Sequence, residues 1–434
     1  MKRWVLALAA TAGLAILGAA GAGLWLHWYM GQPVFIEEIR LALARATGAE
    51  VDLERLVVRG VQGVELRGVE VVPAQGGRLK AGTVRLTFSV VALAMGRLEI
   101  YQVGVDGAEL VVKPTREGEW PSFLAGVVPE VRIAGRGFPV SLNLTQLQLD
   151  RSRVEVQGAD GELMAVAEGV EAEAGLSFLP GWTDASGVFR ASSLRLGSGL
   201  RLTNVTVPVR LGNRVVTMAG MKAFCHGGSL EGTLTGNFAR TVPTFSAEVA
   251  VREVDLGVLL EEGGARTRWA EGTLALDAKV EGTWRQVLLA TGVGRLTVDG
   301  AGISTLDVLG TLGQALGLSE LRAPRFERVT GDFKIADRRL TFYNLEGVSP
   351  MIELSGAGYV NFDGQMDLDM LLGLHPEIGD RIPAHVLGQF NQRSDQFRLI
   401  TFKLWGPISN PTSNLQRKLF AGSGTVGREL ASAR

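Results

Sequence analysis

Cysteine is almost absent: Cys225 stands alone in 434 residues. One thiol can form neither an internal disulfide nor a thiolate metal cluster, and its mid-chain place excludes a lipid-modified N-terminal cysteine. Histidine is equally sparse. His27, His226, His375 and His385 are scattered, and no zinc-helix motif or Ser/His/Asp order stands out. Charge of one sign is missing too. Lys and Arg number 44 against 45 Asp and Glu, a net charge of −1, so there is no global basic field for nucleic acid and no acidic tail. These absences leave no catalytic or metal-ligating constellation, and no enzyme activity, metal or cofactor is expected. Cys225-His226 reads as an adjacent pair without further ligands. Asp363, Asp367 and Asp369 lack the order of a calcium loop and fall on one parity, that of a solvated strand face. The Gly422–Gly427 match to GxGxxG has only seven residues after it, too few for the βαβ unit that gives the motif meaning.

What is present begins at the N-terminus. Lys2 and Arg3 precede an uncharged run from Trp4 through Leu26. As a helix it would be roughly 35 Å long, enough to span a bilayer. Trp25, Trp28 and Tyr29 crowd its far end, where an interfacial aromatic belt belongs, and the basic pair marks the cytoplasmic side. A retained anchor is therefore expected, with the body outside the cytoplasm. The competing reading is a cleaved signal peptide, since Ala20-Gly21-Ala22 resembles a cleavage site.

Residues 33–47 read as a short amphipathic helix with Phe35, Ile36, Ile39 and Leu43 on one stripe, ended by Gly48. Strand patterns follow. Val64, Leu66, Val69 and Val71 alternate with one slip in phase; Val140, Leu142 and Leu144 resume past a bulge at Leu147 and Leu149. Val205 to Leu211, Leu230 to Phe238 and Leu274 to Val280 alternate cleanly. Helical patterns are few and short: 120–127, 253–262, 284–291 and 304–318. Strands recurring about every 8–15 residues with Gly, Asn and Asp between them are an all-β signature. In Leu354–Leu372 the even positions are apolar or Gly, and the odd ones are Ser355, Ala357, Tyr359, Asn361, Asp363, Gln365, Asp367, Asp369 and Leu371. A three-residue turn at Phe362-Asp363-Gly364 pairs Val360 with Met366, Gly358 with Leu368 and Gly356 with Met370, keeping one face wholly apolar. Such a sheet can close on itself around a packed core, or curl into an open trough with an apolar floor.

The serial order of segments adds a resemblance. An anchor, a short helix and "ATGAEVDL" lead to "GVELRGVEVV" (63–72), "LKAGTVRLTFSVVALAMGRLEIYQVGVDGAELVV" (79–112) and "REGEWPSFL" (116–124). Later come "LDVLGTLGQALGL" (306–318), "FERVTGDFKIADRRLTFYNLEG" (326–347) and "LITFKLWGPISNP" (399–411). In that order they resemble the AsmA-like proteins of Gram-negative envelopes, a family similar to the chorein-type bridge lipid-transfer proteins. The resemblance covers roughly residues 1–125 and 300–412, and the middle section is shorter than that of the larger members.

The resemblance implies a mainly β fold: an N-terminal transmembrane helix, then a long, curled, mostly antiparallel, taco-like sheet with a few short helices. It implies an inner-membrane protein with a periplasmic body that binds phospholipid acyl chains in an apolar groove and serves lipid transport or outer-membrane homeostasis. The chain is expected to divide into an anchor (1–32), an N-terminal region (33–125), a strand-rich middle (126–299), a C-terminal region (300–411) and a solvated basic tail (412–434). Candidate groove residues are Val205, Val207, Val209, Leu230, Leu234, Leu274, Leu276, Leu354, Val360, Met366, Leu368 and Met370. Each is equally suited to an ordinary core. The alternative is an envelope scaffold with a packed β core that binds a partner protein.

Overall fold

A computed structural model describes residues 49–60, 62–73, 77–95, 97–113, 130–133, 136–158, 160–179, 182–197, 199–262, 270–303, 309–310, 313–314, 317–322, 324–408 and 411–420, with scattered positions between 32 and 44. The fold is mainly β, with long, mostly antiparallel strands and few, short helices. The expected membrane span at residues 4–26 and the helix expected at 120–127 lie outside the described residues. Among the described residues no helix is long and apolar enough to cross a membrane. The chain forms two compact units, Met1–Gly197 with Thr203–Asn213, and Ser198–Leu202 with Arg214–Arg434. The division falls inside the stretch read from sequence as one middle region.

The first unit contains β1 (Ala49–Arg59), β2 (Gly63–Pro73), β3 (Arg78–Phe88), helix α1 (Val90–Ala94), β4 (Leu98–Val112), β5 (Glu130–Ile133), β6 (Arg136–Gln157), β7 (Leu163–Leu179), β8 (Trp182–Leu196) and, from Thr203 on, β9 (Arg201–Gly212). Strands β1 to β4 pair antiparallel in sequence order, β4 pairs parallel with β6, and β6, β7 and β8 continue antiparallel. The slip in phase between Leu66 and Val69 has a local cause. Gly68 sits at φ 60° opposite Gly82, which in turn faces Gly107 at φ 64°; Arg151 and Gly169 continue the line at φ 46° and 59°. All these strands change phase side by side, so the apolar face stays continuous. Its buried residues include Val51, Leu53, Leu56, Leu66, Val69 and Phe88, with Ile36 of the expected amphipathic helix packed against them. Buried Ser152 serves the kink: its Oγ accepts from Ala108 N at 3.1 Å and donates to Asp150 O at 2.8 Å.

The second unit runs through β10 (Val215–Cys225), β11 (Gly228–Asn237), β12 (Thr244–Asp255), α2 (Leu256–Glu262), β13 (Ala270–Thr283), a 3-10 helix (Trp284–Leu289), β14 (Thr291–Ile303), α3 (Ser319–Arg322), β15 (Arg325–Ala336), β16 (Arg339–Val348), β17 (Ile352–Asn361), β18 (Gln365–Leu374), α4 (Pro376–Gly379), α5 (Ala384–Leu387), β19 (Asn391–Gln392), β20 (Arg398–Pro407), β21 (Thr412–Ser413) and α6 (Leu415–Phe420). Strands β10 to β18 pair antiparallel with their sequence neighbours, and β18 pairs with β20. Tight turns of two left-handed residues join several of them: His226-Gly227 (φ 46° and 84°) and Asp337-Arg338 (φ 52° and 60°). Such turns match the twist of the flanking strands.

The β17–β18 hairpin has the register expected from sequence. Val360 pairs with Met366, Gly358 with Leu368 and Gly356 with Met370, and Gly364 adopts φ 81° in the three-residue turn. One expectation needs correction. Part of the supposed solvated tail folds: α6 inserts Leu415 and Leu419, at 0% and 1% exposure, into a core with Leu372, Leu374 and Ile378. The basic residues there mislead, because Arg417 and Lys418 occupy the helix's outward side while its leucines point in.

Candidate functional site

Antiparallel partners point their side chains to the same side of a sheet, so registers can be followed across strands. From β10 to β20 one row reads Met221, Gly232, Val249, Ala278, Gly294, Phe333, Phe342, Gly358, Leu368 and Leu404. A second reads Met218, Leu234, Ala247, Val280, Gly292, Ile335, Leu340, Val360, Met366 and Gly406. A third reads Ala223, Leu230, Val251, Leu276, Leu296 and Gly331; a fourth, Val254, Leu274, Val298, Val329, Gly347, Leu354, Leu372 and Ile400. None of these positions carries a charge or a polar side chain. The glycines are not gaps. A Cβ on Gly294 would strike the Phe333 ring, one on Gly331 would meet Leu345 at 3.1 Å, and one on Gly282 would meet Phe245 at 3.0 Å. Large neighbours lie over small ones and keep the face level.

The reverse side is charged and paired across strands. Lys279 Nζ lies 3.3 Å from Glu248, Arg295 Nε 2.5 Å from Asp332, Arg252 2.5 Å from Asp277, and Lys403 3.0 Å from Asp367. Arg295, and after it the Asn344 side chain, hold the Asp332 carboxyl below its ordinary range. An open recess of about 950 Å³ sits among the side chains of this charged side, between Glu231, Glu248, Asp277, Lys279, Arg295 and Tyr343. Its charges neutralise one another across the ladder, so it is a solvated surface rather than a site for an ion.

The apolar side differs along its length. Toward β15–β20 it is sealed by Leu318, Leu321, Ile378, Val386, Leu415 and Leu419 from the short helices and their flanks. Leu354, Leu368 and Met370, expected on the groove, belong to that close-packed core at 8%, 7% and 3% exposure. Met366 and Leu274 pack against it, and Val360 is half-buried. Toward β10–β14 the rows are mixed: Ala223, Val254 and Val298 are buried, whereas Met218, Met221, Leu230, Leu234, Val249, Val251, Leu276 and Val280 are half-buried. Leu230 and Leu276 share one row; Leu234 shares another with Val360 and Met366. In the first unit, Val205 is buried, and Val207 and Val209 are half-buried. Sequence reasoning placed Gly232 and Ala278 on the apolar side of their strands but missed Gly294, and only the strand registers put all three in one row with Val249 and Phe333.

Nothing on this face is reactive. Cys225 is buried at 6% exposure, and burial, followed by the nearby Glu262 charge, pushes its thiol pKa up, which disfavours the thiolate. His226 Nε2 lies 3.1 Å from Glu262 Oε2 without hydrogen-bond alignment. Among the described residues no group of His, Cys, Asp and Glu could hold a metal ion. What the face can do is shield an apolar guest from water. No family model, curated protein or solved structure matches the chain.

Proposed function

We propose that the half-buried apolar floor of β10–β14 holds lipid acyl chains, in an AsmA-like envelope protein anchored in the inner membrane by residues 4–26 with a periplasmic body. The observation that carries this reading is the set of registered rows: apolar side chains continue from strand to strand without a charge, yet Met218, Met221, Leu230, Leu234, Val249, Val251, Leu276 and Val280 stay only half-buried. A monomer rarely leaves so broad an apolar surface to water. Tails would lie on the floor while headgroups stay wet. The order of segments supports the family, and phospholipid movement or outer-membrane homeostasis is the role it implies; no enzymatic step is required.

Adjacent residues on opposite faces give the test. A photo-reactive amino acid replacing Leu276 in the full-length chain should crosslink phospholipid in cells, whereas the same group at Asp277 should not. Crosslinks from 276 to a protein would instead support the scaffold reading. Equal lipid labelling at both positions would remove the floor as a specific site. Leu276→Asp should leave the protein folded and lower lipid crosslinking at position 230.

A further inference from the structure

Two neighbouring loops of the second unit expose an apolar cluster that the floor does not account for. Residues 238–243 join β11 to β12, and the 3-10 helix 284–289 joins β13 to β14. The pairing of Thr244 with Asn237 on one side and Thr283 on the other sets the loops side by side. Trp284 N donates to Pro243 O at 3.1 Å. The Trp284 ring stacks on Phe238 at 5.9 Å between centroids and tilts against Phe245 at 5.2 Å. The cluster is therefore preassembled rather than frayed. Trp284, Val287, Leu288 and Leu289 are 40%, 51%, 60% and 51% exposed, and Phe238 and Val242 are 43% and 44% exposed.

Composition indicates what covers it. The two segments hold Arg240 and Arg285 and no carboxylate. Aromatic rings beside aliphatic tips, with bases and no acids, suit the interface of an anionic bilayer: rings favour the headgroup level, aliphatic tips enter the acyl boundary, and guanidinium groups meet lipid phosphate. The cluster is also continuous with the apolar face. The Phe238 and Trp284 rings lie over Gly236, where a Cβ would meet them at 3.0 and 3.4 Å, and Gly236 stands in one row with Val216, Phe245 and Gly282.

We propose that loops 238–243 and 284–289 form a membrane-docking rim that inserts shallowly into an anionic phospholipid surface. Docking of the rim does not require that the floor hold lipid. The test uses the full-length chain carrying Leu288→Cys labelled with the environment-sensitive fluorophore NBD; buried Cys225 is shielded from the reagent. With vesicles of phosphatidylethanolamine and phosphatidylglycerol, the NBD emission should shift to the blue and be quenched by lipids brominated near the headgroup. Val293→Cys, on the charged side and 58% exposed, should stay wet. Arg240→Glu should lower the inserted fraction at least about five-fold on these vesicles and much less on phosphatidylcholine. Leu289→Asp should lower it on both. Equally wet probes at 288 and 293 would overturn the rim. So would a blue shift at 288 that rises with protein concentration in the absence of vesicles, which would assign the cluster to a second copy of the chain. Lipid crosslinking at position 276 with a wet probe at 288 would remove the rim and leave the floor; an inserted probe without that crosslinking would remove the floor and leave the rim.

Discussion

The two ends of one apolar face make an instructive comparison. In the row from Met221 to Leu404, Met221 and Val249 are half-buried, whereas Phe333, Leu368 and Leu404 are 6%, 7% and 3% exposed. The alternation that builds the two ends is the same. What changes is the cover: α3 to α6 and their flanks place Leu321, Ile378, Val386 and Leu415 over the later strands, whereas over β10–β14 positions such as Met221, Leu234, Val249 and Leu276 are only half-shaded. A β-strand's alternation thus specifies which side is apolar and leaves open what that side touches. Helical segments that cannot bury their own stripes elsewhere decide it for one end.

The sharpest way to break this comparison is to put a charge at each end. Leu372→Asp buries a carboxylate without a partner among Leu374, Ile378 and Leu415. It should cost several kcal/mol, a large part of a domain's roughly 5–15 kcal/mol, and abolish cooperative thermal unfolding. Leu276→Asp should retain a clear thermal transition. If both variants unfold alike, β10–β14 is a packed core after all.

Truncation measures the same difference more finely. Leu372→Ala should cost about 2–5 kcal/mol because the sealed site cannot collapse around the lost atoms. Leu276→Ala should cost about 1 kcal/mol, since its side chain already meets a partly open surface. Urea midpoints at constant m-value read both.

Gly294→Ala probes the floor between the two ends. The added Cβ would press on the Phe333 ring and approach the Asp277 carbonyl oxygen to 2.6 Å. The ring can turn, but the backbone cannot, so a loss of about 1–3 kcal/mol is expected. Phe333→Leu in the same chain should recover little if the carbonyl is the limiting contact.

The charged side, common to both ends, should respond least. Asp332 has its folded-state pKa depressed by Arg295 and Asn344. Its contribution is therefore present above the unfolded carboxylate pKa of about 3.9 and is lost as pH falls through the lower folded value. Asp332→Asn should lower the urea midpoint slightly at neutral pH, where the exposed pair contributes little, and wild type and variant should converge below about pH 4. A fall that is identical in wild type and variant would remove Asp332 from the acid response.

Much of the strand order was legible because a period of two admits one apolar side per strand. The β17–β18 register followed from Gly364, which adopts without steric cost the left-handed conformation that keeps Val360 opposite Met366. The phase slip near Leu66 was visible, but its partners at Gly107, Arg151 and Gly169 were not, since only pairing shows that the kinks are neighbours. The groove candidates were legible as one side of strands. That Leu354, Leu368 and Met370 would be sealed while Leu230 and Leu276 stay half-buried was not. The rim loops were also missed: a short helical pattern at 284–291 gave no sign that Trp284 stacks on Phe238 from a different loop.

By itself, then, the sequence determined the class of element, the parity of each strand and the register of its clearest hairpin. These depend on residues a few positions apart, where steric and hydrophobic patterns act directly. The tertiary structure decided which stretches of the apolar side are buried and which remain half-open. That outcome depends on where helices tens of residues of chain away come to rest, as when Leu415 and Leu419 settle against Leu372 and Leu374, and no local pattern encodes it.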